Sequence, residues 1–181
     1  MKKLFLIGYL CALSLTVISQ QNNDFENLWK KVADFEQKGL TASARTEVQQ
    51  IHRLALSQKN EPQQLKCAMY LMKYRNILGE DSDASNLMYI DSLISKTHGA
   101  ARQVLYTLKG ELLESYIKNN LYAIRNRTRV AVTRNEKIET WSLQELADSA
   151  DAAFQMSLHP VQLLQSTPVE SFMDILQEGN A

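Results

Sequence analysis

Between Leu28 and Asn60 the chain carries two apolar stripes at helical spacing, separated by Lys38-Gly39-Leu40-Thr41. Phe25, Leu28, Trp29, Val32 and Phe35 recur every three or four residues, and Ala44, Val48, Ile51 and Ala55 do so after the break. That period lines one face of a helix and leaves the opposite face polar. Glycine just past a helix end takes a left-handed conformation that other residues adopt at a cost, and Leu40 then folds back on the last turn. The stretch therefore predicts a helical hairpin, with one helix over about Asn22–Lys38 and a second over about Thr41–Gln58.

The theme repeats. Glu61-Pro62 opens a third helix, to Leu78, since proline is tolerated in a first turn. Its apolar residues cover more than one side: Leu65, Ala68, Met69 and Met72 on one, Cys67, Tyr70, Leu71, Tyr74 and Leu78 around the other. Such a helix belongs in a central layer. Gly79 ends it. Asp81, Ser82 or Asp83 caps a fourth helix bearing Leu87, Ile90 and Ile94, which Gly99 ends. A fifth runs over about Ala100–Lys118 with Val104, Leu105, Leu108, Leu112 and Tyr116.

First helices of successive pairs start about 37 residues apart, the spacing of stacked two-helix repeats. The expected fold class is all-α: stacked helical hairpins in a tetratricopeptide-like right-handed solenoid or bundle. The pattern lapses over 119–140, an irregular segment in which Val130 and Val132 alternate weakly as a short extended piece. Helix returns at Trp141, where Ser142 and Glu145 have capping-box spacing and Leu143, Leu146, Ala147, Ala150, Phe154 and Leu158 form a stripe that His159-Pro160 ends. Thr167-Pro168-Val169-Glu170 is a second capping signature, before a short helix with Phe172, Met173 and Leu176.

The first 19 residues read as a cleaved signal peptide. Met1-Lys2-Lys3 is basic, Leu4–Ile18 is almost wholly apolar yet short of the ~20 residues of a membrane span, and Val17 and Ser19 fit a cleavage site before Gln20. Gly8-Tyr9-Leu10 before Cys11 does not suit lipoprotein processing. The domains are thus 1–19, signal peptide, and 20–181, a helical repeat-like domain in an exported protein of the periplasm or outer membrane. Cleavage removes two lysines and no acid, leaving 18 basic and 20 acidic side chains and a net charge of −2. That balance gives no general attraction to nucleic acid, and ties the chain to a membrane only through export or envelope association. Cys67 remains alone, without a partner for an intrachain disulfide, and reads as a buried small hydrophobe.

No cluster has the spacing of a catalytic, cofactor or metal site. His52, His98 and His159 stand 46 and 61 residues apart without a neighbouring ligand. No serine occupies a nucleophile elbow, and no glycine-rich loop cradles phosphate. Arg125, Arg127, Arg129 and Arg134, flanked by Lys118 and Lys137, read either as a contact for an anionic envelope surface or as a loop paired with helix carboxylates. Trp29 and Trp141 read as core anchors, or else as exposed aromatic contacts for a partner.

Two stretches together resemble a known family. One is Leu28-Trp29 through Lys38-Gly39-Leu40, with Ser43-Ala44 and the Val48/Ile51 stripe. The other is Asn126-Arg127-Thr128 through Ile138-Glu139-Thr140-Trp141, followed by a helix and the Phe172 to Gly179 ending. In this order they are similar to the N-terminal region of the large exported alpha-2-macroglobulin-like proteins of Bacteroidetes, with Lys137 standing where that pattern carries an acid. The resemblance implies a helical region ahead of macroglobulin-type β-sandwich domains, which in some relatives include a protease-trapping thioester made from a Cys-Gly-Glu-Gln type motif. Cys67 is followed by Ala68-Met69-Tyr70 and cannot be that cysteine. The implied chain is a non-catalytic fragment that holds only the leading helical region and meets missing downstream domains or a protein partner. The rival expectations are a free-standing tetratricopeptide-like module that binds a peptide or protein, and a small hydrolase with a site assembled from distant residues.

Overall fold

The computed structural model describes residues 25–79, 83–127, 138–173 and 175. All regular structure among them is helical, without a strand. The order is α1 (25–37), α2 (Thr41–Ser57), α3 (Glu61–Ile77), α4 (Asp83–Lys96), α5 (Gly99–Arg125), a 3₁₀ turn (Ile138–Thr140), α6 (Leu143–Ser157), α7 (Val161–Ser166) and a second 3₁₀ turn (Val169–Phe172). The proposed signal peptide, the capping residues Asp81 and Ser82, and the Val130/Val132 pair lie outside the described residues.

The opening hairpin forms as its sequence dictates. Gly39 takes φ +69°, the Leu40 amide donates to the Phe35 carbonyl (2.9 Å), and the Gly39 amide donates to Glu36 (3.0 Å), so the turn satisfies carbonyls at the end of α1. Ala44, Val48, Ile51 and Ala55 are fully buried and pack with Phe25, Val32, Cys67 and Tyr74. The α2–α3 turn uses the same geometry without glycine: Lys59 stands at φ +52°, and the Asn60 amide donates to Ala55 O (2.9 Å). Asn60 then caps α3, its side chain accepting from the Gln63 amide (3.1 Å).

Helix α3 is the middle layer its two apolar sides foretell. Cys67 and Tyr74 face α1 and α2, while Leu65 and Met72 pack with Ile90, Ile94 and Leu105 of α4 and α5. A third part of the core joins Leu87, Leu113, Tyr116, Ile124, Ile138, Leu146 and Ala150. Phe172 and Ile175 return to the Leu65/Met72 side, so the last described turn leans on the middle of the molecule. Helices α5 and α6 cross closely, and Gly110 makes this possible: a Cβ there would lie 2.5 Å from Cε1 of the Phe154 ring.

Three local expectations are corrected, and one short helix is added. The irregular segment begins later than 119, because α5 continues through Arg125 and buries Ile124 in the α5–α6 core. One apolar side chain per turn suffices there, since Tyr122 and Arg125 face solvent. Gly99, at φ +60°, is the first residue of α5 and not the end of α4, which stops at Lys96. Thr167 does not cap a helix: its hydroxyl donates backward to Leu163 O (2.7 Å), and the next four-residue element, Val169–Phe172, is a 3₁₀ turn. The six-residue α7 after Pro160 lacks a buried stripe, so no periodicity announces it.

Candidate interaction surface

The residues singled out for chemistry do not converge. Among the described residues no group of three or more His, Cys, Asp or Glu side chains is placed to hold a metal. Cys67 is fully buried, and that burial pushes its thiol pKa up to about 12, against the thiolate that reactivity requires. His52 lies half-buried on α2, where desolvation lowers its pKa and favours the neutral ring. His159 contributes its backbone, accepting from Gln103 Nε2 (2.6 Å).

Arg127 matches neither reading of the basic segment. Its guanidinium donates to Trp141 O (2.8 Å), to Ile138 O (3.4 Å) and to the Tyr116 hydroxyl (2.9 Å), and lies over the Tyr116 ring. It pairs with carbonyls and a phenol rather than carboxylates, and fastens the end of α5 to the turn that enters α6. Arg129, Arg134 and Lys137 lie outside the described residues.

Trp29 is an anchor with a polar handle. Its indole N–H donates to Gln63 Oε1 (2.7 Å), its ring packs against Tyr70 (4.7 Å between centroids), and the Lys66 ammonium sits 4.6 Å from the ring centre. Beside it, Glu36 ties α1 to α3, accepting from Lys73 Nζ (2.7 Å) and the Tyr74 hydroxyl (2.8 Å). Burial raises the Glu36 pKa, but these hydrogen bonds and the Lys73 charge outweigh it and leave the carboxyl below its ordinary value. Trp141 is partly buried against the α5–α6 core.

Two surface features have the character of contact sites. The first is a groove of about 350 Å³ among α2, α3, α4 and the start of α5, floored by Leu65, Ala68, Ala101 and Leu105. The second lies at the C-terminal end. Residues 152–169 contain no Asp, Glu, Lys or Arg, in a chain where 22% of residues are charged. Leu158, Val169 and Met173 are 62%, 61% and 57% exposed, and Met156 and Val161 are exposed beside them in sequence. Depletion of charge with exposed Met and aliphatic side chains is the composition of the centre of a protein–protein interface. The sequence held this signal as a long uncharged run, hidden because the same run contributes the α6 stripe.

No protein-family model, curated protein or solved structure matches the chain. Among the described residues no helix is long and apolar enough to cross a membrane.

Proposed function

We propose that the chain is a non-catalytic, exported helical module, akin to the leading region of a bacterial alpha-2-macroglobulin-like envelope-defence protein, which serves as scaffold and docking surface for larger domains. Exposed Met156, Leu158, Val161 and Val169, spread along a stretch without charged residues, carry this reading. Isolated exposed aliphatics are ordinary, but a run of them without a charged residue favours a covering protein surface. The residues that carry the family resemblance also have structural work here: Trp29, Gly39 and Leu40 build the opening hairpin, and Arg127 and Trp141 build the entry to α6.

A photo-crosslinker placed at Leu158 or Val169, in cells expressing the protein, tests the proposal. Capture of a large exported protein with macroglobulin-type β-sandwich domains, or an in-frame continuation encoding such domains in genomic DNA, supports it. Crosslinks confined to short peptides, with no such coding sequence nearby, overturn it in favour of a free-standing tetratricopeptide-like binding module. The covering of α3 on two sides favours that second reading, since stacked repeats bury each hairpin between its neighbours.

A further inference from the structure

The groove among α2–α5 differs from the proposed docking surface in charge, since Glu61 and Lys96 line it. Its floor is aliphatic, formed by Leu65, Ala68, Leu93, Ala101 and Leu105, and its volume of about 350 Å³ falls at the small end of the range for small-molecule sites. Polar groups stand at its margin, among them His52, Ser92, Lys96 and Thr97. Lys96 is distinctive among them. Lys96, like Lys59 and Lys118, makes no ion pair or hydrogen bond among the described residues, but of these three it alone lines the groove.

The groove also holds one acid, Glu61. That carboxylate is turned to the start of α5: its Oε2 lies 3.7 Å from the position a Cβ would take on Gly99. The first turn of α5 has no acidic residue of its own, and a carboxylate beside a helix start is favourably placed. Glu61 makes no ion pair with Lys96 among the described residues. His52 is kept toward its neutral form by burial, so Lys96 is the cation that faces an occupant.

We propose that this groove binds a small amphipathic acid, whose aliphatic body lies on the Leu65/Leu105 floor and whose carboxylate meets the Lys96 ammonium. Volume limits the occupant to a short or medium chain, and the unpaired ammonium beside an apolar floor selects an anionic head over a neutral one. The inference is independent of the function proposed above, because it involves different helices and a different class of partner.

Decanoate and decanol, both used below the onset of micelle formation, test it by calorimetry and by ring-proton NMR on the mature chain. The chain has only three histidines, so His98 and His159 serve as internal controls for His52. Decanoate is expected to bind saturably at submillimolar concentration and to shift the His52 ring signals alone. The Lys96→Gln variant, altered at an exposed position, should bind decanoate roughly fivefold more weakly while its affinity for decanol is unchanged. Leu93→Trp, checked for native helicity by circular dichroism, should lose both ligands because the indole fills the groove. The proposal is overturned by absence of saturable decanoate binding, by equal shifts at all three histidines, or by indifference of decanoate to Lys96→Gln. Exclusive binding of an amphipathic peptide at the His52 face would also overturn it and assign the groove to a protein segment.

Discussion

Lys59 and Gly39 occupy the same kind of position, just beyond a helix, with φ +52° and +69°. A side chain in the left-handed region costs roughly 1–2 kcal/mol, and glycine avoids this while losing some backbone entropy on folding. Lys59→Gly is therefore expected to stabilise the fold by about 0.5 kcal/mol, and Gly39→Ala to destabilise it by about 1 kcal/mol. Chemical denaturation midpoints of the two variants check the signs, and a loss of stability in Lys59→Gly would refute the argument. Arg127 is a different case, because its value lies in reach. Three acceptors from Tyr116, Ile138 and Trp141 converge on one planar guanidinium, a geometry an ammonium cannot reproduce. Arg127→Lys should cost about 1–3 kcal/mol by denaturation, although it keeps the charge. An Arg127→Lys protein as stable as wild type would show that the bonds to the α6 entry are dispensable.

Helix α5 owes its partner to the absence of a side chain. At Gly110 the backbone comes close enough to α6 that an added methyl would meet Phe154 ring atoms at 2.5–2.8 Å. Alanine improves intrinsic helix propensity by about 1 kcal/mol, but overpacking a crossing costs about 1–3 kcal/mol, and the ring is already packed against the α5–α6 core. Gly110→Ala should therefore be net destabilising by about 1 kcal/mol, and Phe154→Leu should restore part of the loss. A double-mutant cycle measured by urea unfolding decides it: additive effects would mean that the two residues do not meet. The same helix shows where reading a sequence stops. The α2 stripe of Ala44, Val48, Ile51 and Ala55 was legible because a one-sided helix repeats its pattern, and the Ser142/Glu145 capping box because its partners lie three residues apart. Gly110 was not, since a helix glycine matters only through Phe154, 44 residues onward. Arg127 resisted for a related reason: two of its acceptors are main-chain carbonyls, which every residue carries and no side-chain pattern marks. Of the candidate surface, the uncharged run was visible but its exposure was not. The groove draws on four helices and has no contiguous signature.

At the scale of the whole molecule, titratable groups that are buried or hydrogen-bonded in the fold bound the pH range in which the domain is most stable. His52 has an ordinary value of 6.5 and is lowered by desolvation; Glu36 has an ordinary value of 4.5 and is lowered overall by its Lys73 and Tyr74 hydrogen bonds. In both cases the unfolded chain takes up a proton at a pH where the folded chain does not. The unfolded state thus binds more protons, and stability falls as pH drops: first below about 6.5 through His52, then below about 4.5 through Glu36. The alkaline side reverses the sign. Cys67, raised from 9.0 to about 12, keeps its proton in the fold while the unfolded thiol loses it, and the partly buried Tyr89 phenol behaves likewise above 10.0. Above pH 9 the folded state binds more protons, so stability declines as pH rises. Melting temperature followed by circular dichroism should form a plateau between roughly pH 7 and 9 with falling limbs on either side. His52→Gln should flatten the limb between pH 6.5 and the Glu36 range, and Cys67→Ala should shallow the limb just above 9, while lowering the plateau through the cavity it leaves in the α1–α3 core. A His52→Gln protein whose melting temperature falls from pH 7 to 5.5 as steeply as that of the wild type would refute the burial argument for that histidine.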